Sequence, residues 1–383
     1  MKKNKINKVA VIGAGDMGHG IAESALLAGY PVYLNDVRQE FIDRGVAGID
    51  FSLKKFLSKG IITQAHYDKI NRTLLQTTTD LKTAVREADL VIEAISENLE
   101  LKRAIFEKLD QYAPNHAILA SNSSTIPISL IAKAVKSPNR VLGLHYFNPV
   151  VLMKLVEVIR GEKTAPETIQ QAYDFILEIN KIPVKVAKDT PGFIVNRVQA
   201  PGGVLLHCLA DTPIATPAEI DALFRNDGAP MGPYETMDYT GLDINYNCMK
   251  YFAEAVHPDF APGKIVTEKV LAGNLGKKTG RGFFDWSNGR PLIDLGKPAG
   301  SVDILDFIAL EINEASKLIE MKVCSLNDID LALIHATGRK KGPIETARLQ
   351  PPEYWQNKLN ELADKYHKSI FKPTTLLIQG FYH

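Results

Sequence analysis

The chain has 383 residues, 45% apolar and 23% charged, which is ordinary for a globular protein and long enough for two or three domains with their own cores. Lys+Arg of 45 against Asp+Glu of 44 leaves a formal charge of +1, so no global field draws in nucleic acid or an anionic membrane, and any anion site must be local. Cys208, Cys248 and Cys324 lie far apart with no C-x-x-C pair, which argues for reduced thiols in a cytoplasmic setting and against a disulfide framework or a zinc site.

The opening MKKNKINKVAVIGAG places lysines before an apolar run, as a secretion signal does. The run is short and Asp16 interrupts it, so a signal is rejected. Nowhere does an apolar stretch approach the ~18 residues of a membrane span.

Val9 to Ile12 is a short β-branched run, the pattern of a buried strand. Gly13, Gly15 and Gly18 follow it as G-x-G-x-x-G. Ile21 to Ala28 forms a helical run closed by Gly29, and PVYLND reads as a second strand ending at Asp36. Gly13 permits the tight turn, Gly15 lets a pyrophosphate approach the backbone, and Gly18 lets helix and strand pack closely. The helix N-terminus then offers free N–H groups to the phosphates. Asp36, about 20 residues on, suits the ribose hydroxyls and repels a 2′-phosphate, which favours NAD over NADP. The glycine pattern is weak alone; strand, helix and acid in register make it strong. Asp16 puts a carboxylate inside this loop and is expected to face solvent.

Further strands are expected at 90–95, 117–121, 140–147, 154–159 and 183–187, with helical stretches between them. This alternation predicts an α/β doubly wound sheet, in which ligands bind beyond the strand C-terminal ends. Glu97, Ser121 to Ser124 and His145 to Asn148 fall at such ends.

The stretch GLHYFNPVVLMKLVEVI (143–159) contains one histidine, His145, and one carboxylate, Glu157. Isolated buried histidines are usually structural. Against that, His145 sits at a strand end on the ligand side, Asn148-Pro149 turns the chain at once, and Glu157 lies in an apolar strand where a carboxylate needs a partner. A buried glutamate beside an imidazole fixes its orientation and favours the imidazolium, as a general base requires.

SNSST (121–125), GLHYFNPVVLMKLVEVI, DTPGFIVNR (189–197), GAPMGPYETMDYTGLD (228–243) and GKKTGRGFF (276–284) together resemble the NAD-dependent 3-hydroxyacyl-CoA dehydrogenases of fatty-acid β-oxidation, in that family's order and over residues 1 to about 286. The resemblance implies a Rossmann-type sheet followed by all-α, 6-phosphogluconate-dehydrogenase-like C-terminal domains. It makes His145 the base for the 3-hydroxyl and Glu157 its orienting partner. Ser124 and Asn196 would hydrogen-bond the reacting oxygen and the histidine. Gly13, Gly15, Asp16, Met17, Gly18 and Asp36 would hold the cofactor, with Glu97, Lys102, Asn148 and Lys278 at further cofactor-contacting positions. Ser52 and Lys59 match positions that touch coenzyme A. No metal is implied. By spacing, Ser52, Lys54, Lys55 and Lys59 give one helix a basic face, which is equally what a solvated lysine face looks like.

From about residue 188 the chain reads helical, and it repeats itself. ATPAEIDALFRNDGAPMGPYETMDY (215–239) resembles CSLNDIDLALIHATGRKKGPIETARL (324–349), with Asp221 matching Asp330, Gly228 matching Gly338, and Gly232-Pro233 matching Gly342-Pro343. The second copy lacks DTPGFIVNR and GKKTGRGFF, so it is expected to be structural. The expected division is a cofactor domain at 1–187, a helical domain at 188–286, a Gly- and Pro-rich linker at 287–300 and a second helical domain at 301–383. Short family members dimerise through one such helical domain, and multifunctional members carry two. The chain is therefore expected to act as a monomer or homodimer, alone or beside an enoyl-CoA hydratase. A competing reading keeps the chemistry on a hydroxy acid without coenzyme A, which would have no use for the Ser52–Lys59 stretch. A non-enzymatic, crystallin-like role is disfavoured by the intact Ser124, His145, Glu157 and Asn196.

Overall fold

The computed structural model describes residues 5–383, and the first four residues of the basic opening stretch lie outside the described residues. The described chain divides into two compact units. The first runs to Ile194 and also includes Lys322–Cys324 and His335–Gly338. Its centre is an eight-stranded sheet in the order β3-β2-β1-β4-β5-β6-β7-β8. The strands are β1 Val9–Ile12, β2 Val32–Asn35, β3 Leu75–Thr78, β4 Leu90–Glu93, β5 Ile118–Ser121, β6 Val141–Tyr146, β7 Leu155–Ile159 and β8 Ile182–Val186. All neighbours pair in parallel except β6 and β7. β1, β4, β5, β6 and β7 are buried along their whole length, as strands covered on both faces must be.

Helix α1 (Asp16–Leu27) leaves the glycine loop directly, with Gly15 as its N-cap. It therefore begins five residues before the expected Ile21, because Asp16, Met17 and Gly18 of the glycine loop already form its first turn. Helix α2 (Gln39–Ser58) follows β2, and α3 (Leu99–Tyr112) follows β4 with Asn98 capping Leu101. β2 and β4 flank β1 on opposite sides, so the connections diverge there. The register aligns Asn35, Ile12, Glu93, Ser121 and Gly143 in one row, and this row ends beside the loops where a doubly wound sheet binds ligands. β3 was not expected from its sequence.

The second unit is helical. Its first copy contains α4 (Val195–Ala210), α5 (Pro217–Asn226) and α6 (Pro233–Thr240); its second contains α7 (Ile304–Glu320), α8 (Leu326–Thr337) and α9 (Pro343–Ala347). The repeat has a mechanical basis. Asp221 accepts the amides of Tyr234 and Glu235 at 2.9 and 2.8 Å, and Asp330 accepts those of Ile344 and Glu345 at 2.8 and 2.9 Å. Each aspartate thereby satisfies the free N–H groups at a helix start. A Cβ at Gly232 or Gly342 would overlap that aspartate, which explains the glycine in both copies. The segment 287–300 carries no helix or strand, yet it is tied down: Arg290 bonds Glu235 at 2.9 Å, and Ala299 N–H bonds the Glu219 carbonyl at 2.9 Å.

Candidate active site

The glycine loop is built as its sequence requires. Gly13 has φ +103°, and a Cβ there would overlap the Ala94 carbonyl. A Cβ at Gly18 would overlap the Gly13 carbonyl, so this glycine sets the close approach of α1 to the loop. Gly15 instead faces open space, with nothing within 4 Å of where a Cβ would stand. That opening, at the N-terminus of a twelve-residue helix, fits a pyrophosphate. Asp16 is exposed on the first turn, and Met17 packs against the core. Asp36 stands just past β2, its carboxylate accepting the Ala14 amide at 2.8 Å and the Val37 amide at 2.7 Å. Those bonds hold it at the mouth of the glycine loop, where a ribose would lie. The residues present therefore fit a dinucleotide.

His145 and Glu157 are directly opposed on the antiparallel pair β6/β7. Their side chains meet, with His145 Nδ1 at 2.6 Å from Glu157 Oε2, and both are buried. The second glutamate oxygen accepts the Ile194 amide at 3.0 Å. The carboxylate is thus fixed at both ends, and the imidazole is fixed through it, leaving Nε2 as the nitrogen not spent on this bond. Phe147 and Phe193 pack on the imidazole, with ring centroids at 4.4 and 5.9 Å. After Asn148, the returning loop is held by Lys181, whose ammonium reaches the Val150 and Met153 carbonyls at 2.6 and 2.8 Å. Burial, with Lys154 nearby, lowers Lys181 to about 8, against the pull of Glu23.

The polar turn after β5 is joined to this pair and to β4. Asn122 Oδ1 accepts the Tyr146 amide at 2.9 Å. Glu97 Oε1 accepts Ser123 Oγ at 2.5 Å and the Ser124 and Thr125 amides at 3.0 and 3.1 Å. Burial opposes ionisation of Glu97, but the Lys102 charge and the bonds from Ser123 and Thr125 hold its carboxyl below the usual range. Lys102 is only 1% exposed and lies 2.6 Å from Glu93 and 3.3 Å from Glu97. Its ammonium is taken up by these two carboxylates and by the Ile95 carbonyl at 3.5 Å.

Ser52 and Lys59 lie on α2 and at its end, with Ser52 half-buried and Lys59 exposed. Lys54 turns away to Asp50 at 2.7 Å, and Lys55 lies over the Phe51 ring at 4.2 Å. Of the four residues expected to form one basic face, Ser52, Lys55 and Lys59 share it by helical spacing. Asn196 is the second residue of α4 and Lys278 lies on the short turn Lys277–Thr279, both in the second unit. Lys278 Nζ is held by Asp243 at 2.6 Å.

Glu93 and Lys181 take part in this arrangement without having stood out in the sequence, whereas Asn122 lies in the Ser121–Ser124 stretch expected at a strand end. For Glu93 there was a signal: a carboxylate inside the otherwise apolar LVIEAI needs a buried partner.

Residues 8–190 match the 3-hydroxyacyl-CoA dehydrogenase NAD-binding domain, and residues 192–286 match that family's C-terminal domain. The 3-hydroxyadipyl-CoA dehydrogenase of Escherichia coli K12 is 41% identical over 284 residues, which are 73% of this chain and 59% of that relative. The mitochondrial hydroxyacyl-coenzyme A dehydrogenase of Mus musculus is 41% identical over 295 residues, 74% of this chain and 93% of its own length. A crystal structure of 3-hydroxybutyryl-CoA dehydrogenase from E. coli K12 superimposes with a TM-score of 0.90 at 30% identity, covering 98% of both chains. With its glycine loop, its buried histidine–glutamate pair and both domains matched, the chain belongs to the NAD-dependent 3-hydroxyacyl-CoA dehydrogenase family.

Proposed function

We propose that this chain interconverts an (S)-3-hydroxyacyl-CoA and the corresponding 3-oxoacyl-CoA, with a short acyl group such as 3-hydroxybutyryl. The observation that carries the chemistry is the buried 2.6 Å pair of His145 and Glu157. NAD supplies the hydride acceptor when bound. His145 Nε2 takes the proton of the 3-hydroxyl, and Glu157 stabilises the imidazolium that forms. In reverse, His145 returns the proton as the acid. Ser124 is assigned to the reacting oxygen; its turn is rigidly held by Glu97. Asn196 is assigned to the histidine on the family resemblance alone.

Gly13, Gly15, Asp16, Met17 and Gly18 are assigned to the pyrophosphate, Asp36 to the ribose, and Glu97, Lys102, Asn148 and Lys278 to the rest of the cofactor. Ser52 and Lys59 are assigned to coenzyme A, which the shared face of Ser52, Lys55 and Lys59 supports. Residues 1–187 would then hold the cofactor, 188–286 would complete the substrate site, and 301–383 would serve a structural role after the 287–300 linker. A cytoplasmic setting is the reading that Cys208, Cys248 and Cys324 support, since none of them is in a disulfide.

The test follows absorbance at 340 nm with acetoacetyl-CoA and NADH, with free acetoacetate and NADPH as controls. NADH loss with the CoA ester alone is the expected result. Turnover of free acetoacetate at the same rate would remove coenzyme A from the reading and Ser52–Lys59 with it.

A further inference from the structure

The turn that presents Ser124 has an unusual dependence on side chains. Its four successive amides are each taken by one: Ser123 N–H by Ser121 Oγ at 3.2 Å, Ser124 and Thr125 N–H by Glu97 at 3.0 and 3.1 Å, and Ile126 N–H by Ser123 Oγ at 2.9 Å. The hydroxyls of Ser123 and Thr125 also bond Glu97 Oε1, at 2.5 and 3.1 Å. Glu97 therefore holds the turn with one oxygen while its other faces Lys102 at 3.3 Å.

Lys102 has a second and nearer carboxylate. Glu93, fully buried at the end of β4, takes its ammonium at 2.6 Å. The same oxygen accepts the Ile95 amide at 2.8 Å, and the other accepts Ser121 Oγ at 2.6 Å. Two carboxylates thus share one ammonium in a buried setting, where each charge-assisted bond is strong and an unpaired charge is costly. Glu93 has the shorter bond.

We propose that Glu93 is a positioning residue for the reaction: by holding Lys102, it leaves the Glu97 carboxylate to the turn that presents Ser124. This rests on the reading of Ser124 as the group facing the reacting oxygen. If residue 93 is neutral, Glu97 is the carboxylate that remains within ion-pair distance of the Lys102 ammonium among the described residues. The two draw together, and Glu97 is pulled from the amides it organises. Through Ser121, Glu93 also braces the Ser123 amide from the other side. Neither effect requires Glu93 to touch substrate or cofactor.

Glu93→Gln keeps the size and the acceptor oxygen and removes the charge. The first readout is amide hydrogen exchange in the peptide spanning residues 121–126, measured on the enzyme without substrate. Exchange there is expected to quicken about tenfold or more, while the peptide over β1 stays at the wild-type rate. With acetoacetyl-CoA and NADH, kcat should fall about tenfold or more, since small misplacements of a contacting group are costly in rate. KM for the CoA ester should change less, because Glu93 is not among the residues assigned to coenzyme A. Wild-type exchange in the 121–126 peptide overturns the proposal, whatever kcat does. If Glu93→Gln does not fold, Ser121→Ala removes one bond to the same carboxylate. A smaller acceleration in the same peptide is then expected, and none overturns the proposal. A mistaken substrate assignment would show separately, as no turnover in the wild type with the exchange difference intact.

Discussion

At His145 the neighbours decide the chemistry. The imidazole is buried, aromatic rings pack on it, and a glutamate fixed by a backbone amide orients it. As the proposed base, His145 would be held by these contacts with its ring oriented by Glu157. His145→Gln keeps a side chain able to bond Glu157 but unable to take the proton. It should lower kcat by ~10²–10⁴ while leaving NADH affinity, read by fluorescence titration, nearly unchanged. An unfolded or NADH-blind variant would mean that the histidine is a packing residue. Glu23 on α1 is the opposite case, a buried acid with no part in the proposed chemistry. Burial raises it to about 7, opposed by the Ser52 hydroxyl and the Lys181 charge, and its Oε1 has no hydrogen-bond partner. The folded chain thus keeps a proton that the unfolded chain gives up near 4.5, so stability is lost as pH rises from about 4.5 through about 7. The loss amounts to about 3 kcal/mol above pH 7. Glu23→Gln should therefore stabilise the protein at pH 8 and change little at pH 4. Urea unfolding at the two pH values checks this, and an equal effect at both would place the pKa elsewhere.

At the scale of elements, the repeated Asp–Gly pair makes a sharp prediction. In the second copy a Cβ on Gly342 would overlap Asp330, so Gly342→Ala must push the aspartate off the Ile344 and Glu345 amides. The loss of that cap together with the overlap should cost about 1–3 kcal/mol. Gly300→Ala is the control, since nothing stands within 4 Å of its Cβ position. Equal denaturation midpoints for the two variants would show that the close approach does not hold the motif. This repeat was legible because the backbone leaves few residues that can do the job. Strands β1, β4, β5 and β6 were legible for a related reason: burial on both faces forces unbroken apolar runs. β3 was not, because Leu75–Thr78 reads LQTT on a half-exposed edge, where no apolar run is needed. Nor was the reversal at β7, since an apolar run carries no direction. In the site, His145 and Glu157 could be paired on paper. The commitment of Lys102 to Glu93 could not, because a lysine on a helix reads as a surface residue until its burial is known.

At the scale of the molecule, the second helical copy has a physical task that needs no chemistry. Within the helical unit, α7 packs on α4. Arg197 and Glu314 meet at 2.6 Å beneath that contact, both buried, and Phe307 packs edge-on against Phe224 with centroids 5.0 Å apart. Gly202 faces the Phe307 ring, and a Cβ there would make an ordinary contact with it at 3.4 Å. The copy also supplies Val323, whose carbonyl accepts the Ala187 amide at 2.7 Å in the sheet unit. Removing residues 300–383 would strip α7 from α4, bare Phe224 and leave Arg197 without its carboxylate. A face of that kind is covered by another surface or it aggregates. A tethered copy covers it at high effective concentration, whereas a truncated chain must find a second molecule. The chain ending at residue 299 should therefore run as a dimer or as aggregates in light scattering coupled to size exclusion, with dimer increasing with protein concentration. A soluble monomer that turns over acetoacetyl-CoA at the full-length rate would show that the α4 face tolerates water, and residues 300–383 would then need a different reason to exist.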